Sequence, residues 1–339
     1  MNEIFALEIL KETKNMQATA KAHTNIALIK YWGKRHESLI LPTNNSLSIT
    51  LDGFYTMTSV EYSQDLAADQ FYLNDEQITG VAYERVTTFL DLVRQLSGKQ
   101  IYATVKSTNK VPTAAGFASS ASGFAALAAA AAQALQLDLT KEQLSRLTRQ
   151  GSGSACRSIY GGFVEWEKGS YEDGSDSYAV QIASEDHWDV RVAAAVVTAT
   201  EKDVSSREGM KRTVDTSVFY DGWLTSIAAD LKDIKAGIAA KDFEKVGQIT
   251  EANCLKMHAT TLGAIPPFTY WNDATMAVMQ TVQQLRKSKI PAYVTIDAGP
   301  NVKVLYLPEN ETTVLEALKT CPSVTDVIVS RVGKGITYK

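Results

Sequence analysis

Pro112 to Gly123 reads PTAAGFASSASG and runs directly into an alanine-rich segment. Small residues ahead of a strong helix former let the backbone approach a ligand closely. The free N–H groups and the dipole of the helix start then favour a phosphate. Ser119, Ser120 and Ser122 add hydroxyls that suit phosphate oxygens or a magnesium ion. The stretch has neither the Gly-Lys-Ser/Thr of a Walker loop nor the GxGxxG of a dinucleotide fold. A core helix whose small residues permit close packing fits the same letters.

Four further stretches carry chemistry. Gly151 to Gly162, GSGSACRSIYGG, surrounds one cation, Arg157, with glycines and serines. A guanidinium in a flexible loop matches the two oxygens of a carboxylate; a turn with Arg157 in a structural ion pair fits equally. Asn25 to Lys34, NIALIKYWGK, sets Lys30, Tyr31, Trp32 and Lys34 beyond an apolar run. It reads as an aromatic wall with ammonium groups for an anion, or as a strand end with snorkelling side chains. Glu201 to Met210, EKDVSSREGM, offers Lys202, Ser205, Ser206 and Arg207 in a loop before a helix, suited to a second phosphate or to solvent. In Thr295 to Asn301, TIDAGPN, Asp297 closes an apolar strand before a Gly-Pro turn. That carboxylate is a general base, a metal ligand or an Asx-turn residue. His23, His36, His187 and His258 lack metal-ligand spacing and read as structural or exposed.

The elements that must hold these residues follow from hydrophobic periodicity. Residues 17–31 read as strand, turn and strand around Asn25, and Leu47 to Val60 as a strand. A helix is predicted over about 81–96, stopped by Gly98, then a strand from Ile101 to Ser107. The alanine-rich helix is followed by one starting at Thr140, where Thr-Lys-Glu-Gln is a capping box. Gly161 to Lys168 and Asp189 to Thr200 read as strands. Helices are predicted near 217–236, 242–258 and 269–288. Strands at Ala292 to Ile296 and Val302 to Leu307, a helix from about 311 and a strand from Val324 complete the chain. This irregular alternation indicates α+β layers and no doubly wound sheet.

The chain has 339 residues, 45% hydrophobic and 21% charged, which excludes disordered and low-complexity classes. Lys+Arg 34 against Asp+Glu 38 gives net charge -4, so no basic excess points to nucleic acid, and any anion needs a local cluster of cations. Cys156, Cys254 and Cys321 are scattered, without a CxxC pair, which fits a reducing compartment. The longest apolar stretch, Phe124 to Ala132, is far short of the roughly 20 residues a membrane span needs. A cytoplasmic protein that binds neither membrane nor nucleic acid is expected.

In this order, NIALIKYWGK, PTAAGFASSASGFAAL, GSGSACRSIYGGF, DVSSREGM and TIDAGPNV resemble the diphosphomevalonate decarboxylase family of the GHMP kinase superfamily. The resemblance runs from about Gln17 to the end of the chain. It implies a two-lobed α+β fold with the active-site cleft between lobes, divided into an extension at 1–16, an N-terminal lobe at 17–195 and a C-terminal lobe at 196–339. It implies ATP-dependent decarboxylation of mevalonate 5-diphosphate, with ATP and Mg²⁺ as cofactors, by a homodimer. By motif, Pro112, Ala115, Gly116, Ala118, Ser119, Ser120 and Ser122 fall on the ATP phosphate loop, with Ser119 and Ser120 near the metal. Asp297 matches the catalytic aspartate, and Lys202 matches a lysine near the reacting phosphate. Arg157 matches the arginine beside the substrate carboxylate, with Ser152 and Ser154 in its loop. Tyr31, Lys34, Ser206, Arg207 and Met210 match positions around the substrate diphosphate, with Trp32 beside them. A superfamily kinase that phosphorylates without decarboxylating, and an inactive nucleotide-binding regulator, are the alternatives.

Overall fold

The computed structural model describes residues 16–110, 119–197, 203–322 and 324–339. Strands β1 (Gln17–Ile29) and β4 (Ser46–Ser63) are long and pair antiparallel, forming the centre of the first sheet; β1 is buried on both faces from Ala22 to Ile29, and β4 alternates in burial over its second half. Between them lies a short ladder of β2 (Lys34–His36) and β3 (Leu41–Pro42). The first sheet is completed by β5 (Gln70–Leu73), β6 (Glu76–Gln77), β7 (Tyr102–Lys110), β8 (Phe163–Trp166), β9 (Ala179–Ala183) and the C-terminal β14 (Thr337–Tyr338). Its order is β14-β1-β4-β7-β5-β6, with β8 pairing β4 and β9 pairing β8.

Residues 17–31 do not break into two strands. β1 runs unbroken to Ile29, with a register shift between His23 and Asn25. The bulge accommodates a polar residue within an apolar strand and turns Asn25 towards the Gly/Ser segment.

Helix α1 (Gly80–Ser97) ends on Gly98 in the left-handed region, φ 70°, as predicted. Helix α2 (Ser119–Ala134) packs on the first sheet, and Ala125, Ala126 and Ala128 to Ala131 are all fully buried. Alanine combines high helix propensity with a small side chain, so a helix made of it sits deep in the core. Helix α3 (Lys141–Gly151) begins on the predicted capping box, Thr140 with Gln143.

A second, antiparallel sheet has the order β11-β12-β10-β13, from β10 (Arg191–Val197), β11 (Ala292–Ile296), β12 (Val302–Tyr306) and β13 (Val324–Ser330). The division expected at 195/196 runs through β10, which lies wholly in this sheet. Helices α4 (Ser206–Thr216), α5 (Tyr220–Ala240), α6 (Phe243–Leu262), α7 (Asp273–Lys287) and α8 (Glu311–Lys319) flank it. One apolar cluster joins the two halves, packing Ile26, Leu28 and Ile29 of β1 with Val192 of β10 and Trp223 and Ile227 of α5. The first sheet therefore does not pack independently of the second.

Candidate active site

The cleft of about 250 Å³ between the two sheets draws its polar lining from six separate pieces of chain. Lys30, Tyr31, Trp32 and Lys34 enter after β1, Arg85 from α1, and Ser120 from the first turn of α2. The 151–157 segment supplies Ser152, Ser154 and Arg157, the start of α4 supplies Ser206, Arg207 and Met210, and Asp297 follows β11. Lys30, Lys34, Arg85, Arg157 and Arg207 thus face a single carboxylate in a chain of net charge -4. Such a concentration of cations is an anion site.

Asp297 is the electrostatic centre. Lys30 Nζ donates to its Oδ1 at 2.6 Å, and Lys303 Nζ lies 3.9 Å from Oδ2. Burial alone would raise its pKa, but Lys30, Lys303 and then Arg157 outweigh that and hold it at about 2. Its side chain keeps 31% exposure towards the cleft, whereas Lys30 is buried at 3%. Lys30 is therefore no snorkelling side chain. Its backbone is held on both sides, the N–H donating to Asn253 Oδ1 and the carbonyl accepting from Asn44 Nδ2.

Arg157 is fully enclosed yet has no carboxylate within ion-pair distance among the described residues. Nε donates to Asn25 Oδ1 at 3.2 Å and Nη1 to Ser46 Oγ at 2.5 Å. Burial lowers its pKa, so the protein holds this cation with neutral oxygens. The structural ion pair weighed from sequence is absent among the described residues. Nor is its segment a flexible loop: α3 runs through Gly151, and Gly153–Ile159 is a largely buried 3-10 turn. Close packing explains both glycines. A Cβ on Gly151 would lie 2.2 Å from the Phe124 ring, and one on Gly153 would lie 2.9 Å from Trp166 and 3.0 Å from Tyr31. Gly151→Ala is expected to cost about 1–3 kcal/mol through overpacking, read as a shift in denaturant midpoint.

The other candidates divide. Tyr31 packs at a tilt against Trp166, ring centroids 4.7 Å apart, and its buried hydroxyl has no partner among the described residues. Ser152 Oγ donates to Ser120 Oγ at 3.4 Å, linking the start of α2 to the Arg157 segment. Lys34 lies 2.5 Å from Glu37. Ser206, Arg207 and Met210 sit in the first turns of α4, not in a loop, because Ser205 caps that helix by accepting from Glu208 N. Trp32 borders the cleft, but its indole belongs to the core and donates to Thr213 Oγ1 at 2.7 Å. Ser122 does not line the cleft. Its hydroxyl is fully buried and bonds Thr56 and Thr24 of the sheet. Pro112, Ala115, Gly116, Ala118 and Lys202, and the Ser119 side chain, lie outside the described residues.

Sequence reasoning missed Arg85, which faces Arg207; burial and that second cation lower its pKa. A lone arginine on the exposed side of an amphipathic helix gives no local signal. Asn25 was read as a turn, yet its Nδ2 donates to Ser154 O and Ser158 Oγ. Among the described residues, no group of three or more His, Cys, Asp or Glu could hold a metal ion.

A family model described as the diphosphomevalonate decarboxylase-like N-terminal domain matches residues 22–179. The mevalonate 5-diphosphate decarboxylase C-terminal domain matches residues 192–335. The diphosphomevalonate decarboxylase of Schizosaccharomyces pombe is 39% identical over 91% of this chain and 83% of that protein. That of Saccharomyces cerevisiae is 40% identical over 87% of this chain and 78% of its own length. Mevalonate diphosphate decarboxylase from Staphylococcus aureus superposes with a TM-score of 0.91 at 48% identity, covering 95% of this chain and 98% of that one. A solved complex of MDDEF with MVAPP, AMPPCP and magnesium has a TM-score of 0.89 at 48% identity, with the same coverage.

Proposed function

This chain belongs to the diphosphomevalonate decarboxylase family, and we propose that it decarboxylates mevalonate 5-diphosphate with ATP, giving isopentenyl diphosphate, carbon dioxide, ADP and phosphate. One observation carries the reading at the level of residues. Asp297 and Arg157, from opposite halves of the chain, line one cleft with Ser120 and an excess of cations.

Two polyphosphates in one cleft repel strongly, since like charges 4 Å apart cost about 4 kcal/mol at an effective dielectric of 20. Lys34, Arg85 and Arg207 offset that repulsion, and Tyr31 offers its free hydroxyl as a donor. Ser120, with Ser119 and the 112–118 segment outside the described residues, holds the ATP phosphates. A smaller cavity of about 180 Å³ shares Ser120 and Arg85 with the cleft and is lined by Phe71, Val86, Val105 and Phe124. Its apolar walls suit the nucleoside end of ATP. Mg²⁺ would be held by serine hydroxyls and phosphate oxygens and would neutralise charge developing on the phosphates. Lys202 acts near the same phosphates.

Asp297 orients the C3 hydroxyl and accepts its proton as the phosphoryl group arrives. In the free cleft it is a weak base at about 2. The negative charge of both substrates competes for Lys30, Lys303 and Arg157 and so raises its proton affinity. Full basicity therefore develops only when the cleft is loaded. Arg157 aligns the substrate carboxylate, which supplies the ion-pair partner that no described carboxylate gives at contact distance. Its attraction is greatest while that carboxylate is charged, so it positions the group and does not drive carbon dioxide loss. Phosphate departure from C3 builds positive charge there, and the electrons of the carboxylate bond form the alkene.

Arg207→Gln is expected to raise KM for mevalonate 5-diphosphate about tenfold with kcat changed little, because a rim cation binds substrate and transition state alike. Lys34→Gln acts in the same direction, and steady-state kinetics at two salt concentrations read both. The lobes divide before Arg191, keeping β10 with its own sheet. The chain works as a cytoplasmic homodimer, in line with its family and its three dispersed, buried free cysteines. No helix among the described residues is long and apolar enough to cross a membrane. Sedimentation tests the dimer. The reaction is tested by following ADP and carbon dioxide together: equal release is expected, and ADP without carbon dioxide supports a kinase that stops at phosphorylation.

A further inference from the structure

β11 is an edge strand of the second sheet, so the backbone groups on its outer side have no neighbouring strand to bind. Side chains satisfy four of them. Arg286 of α7 donates to the Ala292 carbonyl at 2.7 Å. Glu251 of α6 accepts from Val294 N at 2.9 Å. Cys254 Sγ accepts from Ile296 N at 3.1 Å and donates to the Ile296 carbonyl at 3.4 Å, and His258 Nε2 donates to that carbonyl at 3.2 Å. The His258 assignment follows from its partner, because a carbonyl only accepts. Burial also keeps that ring neutral by lowering its pKa to about 4.

Glu251, Cys254 and His258 recur at helical spacing and so share one face of α6. Gly247, one turn earlier on that face, lets the helix lie flat on the strand: a Cβ there would stand 1.9 Å from the Tyr293 ring. Glycine inside a helix costs about 1 kcal/mol against alanine, a cost that close approach to β11 accounts for. Asn253, beside this face, accepts from Lys30 N at 2.9 Å and is itself fixed by donating to Asp230 at 2.8 Å. One helix thus grips the residue before Asp297 and the backbone of the lysine that pairs with it.

We propose that α6 is a rail that positions the Lys30–Asp297 pair, with Cys254, His258 and Asn253 as positioning residues that touch no substrate. This rests on the reading of Asp297 as the group that meets the C3 hydroxyl. A shift of the order of 1 Å in such a group costs about 10²-fold in rate. His258 therefore affects turnover through the placement of Asp297, not through its own titration.

The test compares His258→Leu, which removes the imidazole donor and leaves only the weaker Cys254 thiol on the Ile296 carbonyl, with His258→Gln, whose amide nitrogen can donate to the same carbonyl, and with Asp297→Asn. His258→Leu is expected to lower kcat by about 10²-fold, leaving both KM values close to wild type, and His258→Gln to restore most of kcat. Cys254→Val against Cys254→Ser gives the same contrast at Ile296 N if His258→Leu yields no folded protein. Unchanged kcat in the donor-deleting variants, equal loss in both members of a pair, or loss appearing in KM overturns the rail. If Asp297→Asn turns over normally, the reading beneath it fails; if Asp297→Asn is inactive while His258→Leu is normal, only the rail fails.

Discussion

Asp297→Asn lowers kcat by at least about 10²–10⁴-fold, the usual contribution of a positioned base, while both substrates still bind. The amide keeps the size of the carboxylate and its place after β11, so the cleft retains its shape. It loses the ability to take a proton and the charge that holds Lys30 at 2.6 Å. The freed ammonium adds to the cationic excess of the cleft, so affinity for the polyphosphates is kept or improved. Rapid-quench measurement of product formation beside equilibrium binding of each substrate separates the two effects. Weakened binding with normal chemistry would contradict this role.

Lys30→Met is the second large effect, with kcat falling about 10²–10³-fold, as when one preorganised charged donor is removed. Methionine fills the space but leaves the carboxylate with only Lys303 at 3.9 Å and Arg157 beyond it. Burial, which raises the pKa of Asp297, then loses its chief opponent, so that pKa moves up from about 2. In the wild type the lowered value stabilises the fold above the ordinary carboxylate range, and this contribution is lost as pH falls through about 2. In Lys30→Met both the acid limb of kcat/KM and the acid unfolding midpoint move to higher pH. A pH–rate profile with an unmoved acid limb would remove Lys30 from the control of Asp297.

The sequence made the local features plain. The Thr140 capping box, the Gly98 stop and the buried alanine helix depend on neighbours within a turn or two, and all three formed as read. Helix α4 was passed over because SREGM has few apolar positions, although Ser205 and Glu208 hold the spacing of a cap. Lys30 in the run IALIKYW reads from sequence as an ammonium group for an anion or as a snorkelling side chain, yet a lysine inside an apolar strand is seldom fully buried without a partner. That partner lies 267 residues away and no local pattern points to it. Arg157 stood out by type, but its burial against Asn25 and Ser46 depends on a bulge and on strand pairing that only the fold defines. Ser122 differed from Ser120 by half a turn of helix, enough to aim one hydroxyl at the sheet and the other at the cleft.

The most direct measurement is a crystal structure of the protein with mevalonate 5-diphosphate and a non-hydrolysable ATP analogue. The expected arrangement has the C3 hydroxyl within about 2.6–3.2 Å of an Asp297 carboxylate oxygen, with the substrate carboxylate at Arg157 and the terminal phosphate beside Ser120. A substrate bound with its hydroxyl turned away from Asp297, or its carboxylate away from Arg157, would contradict it.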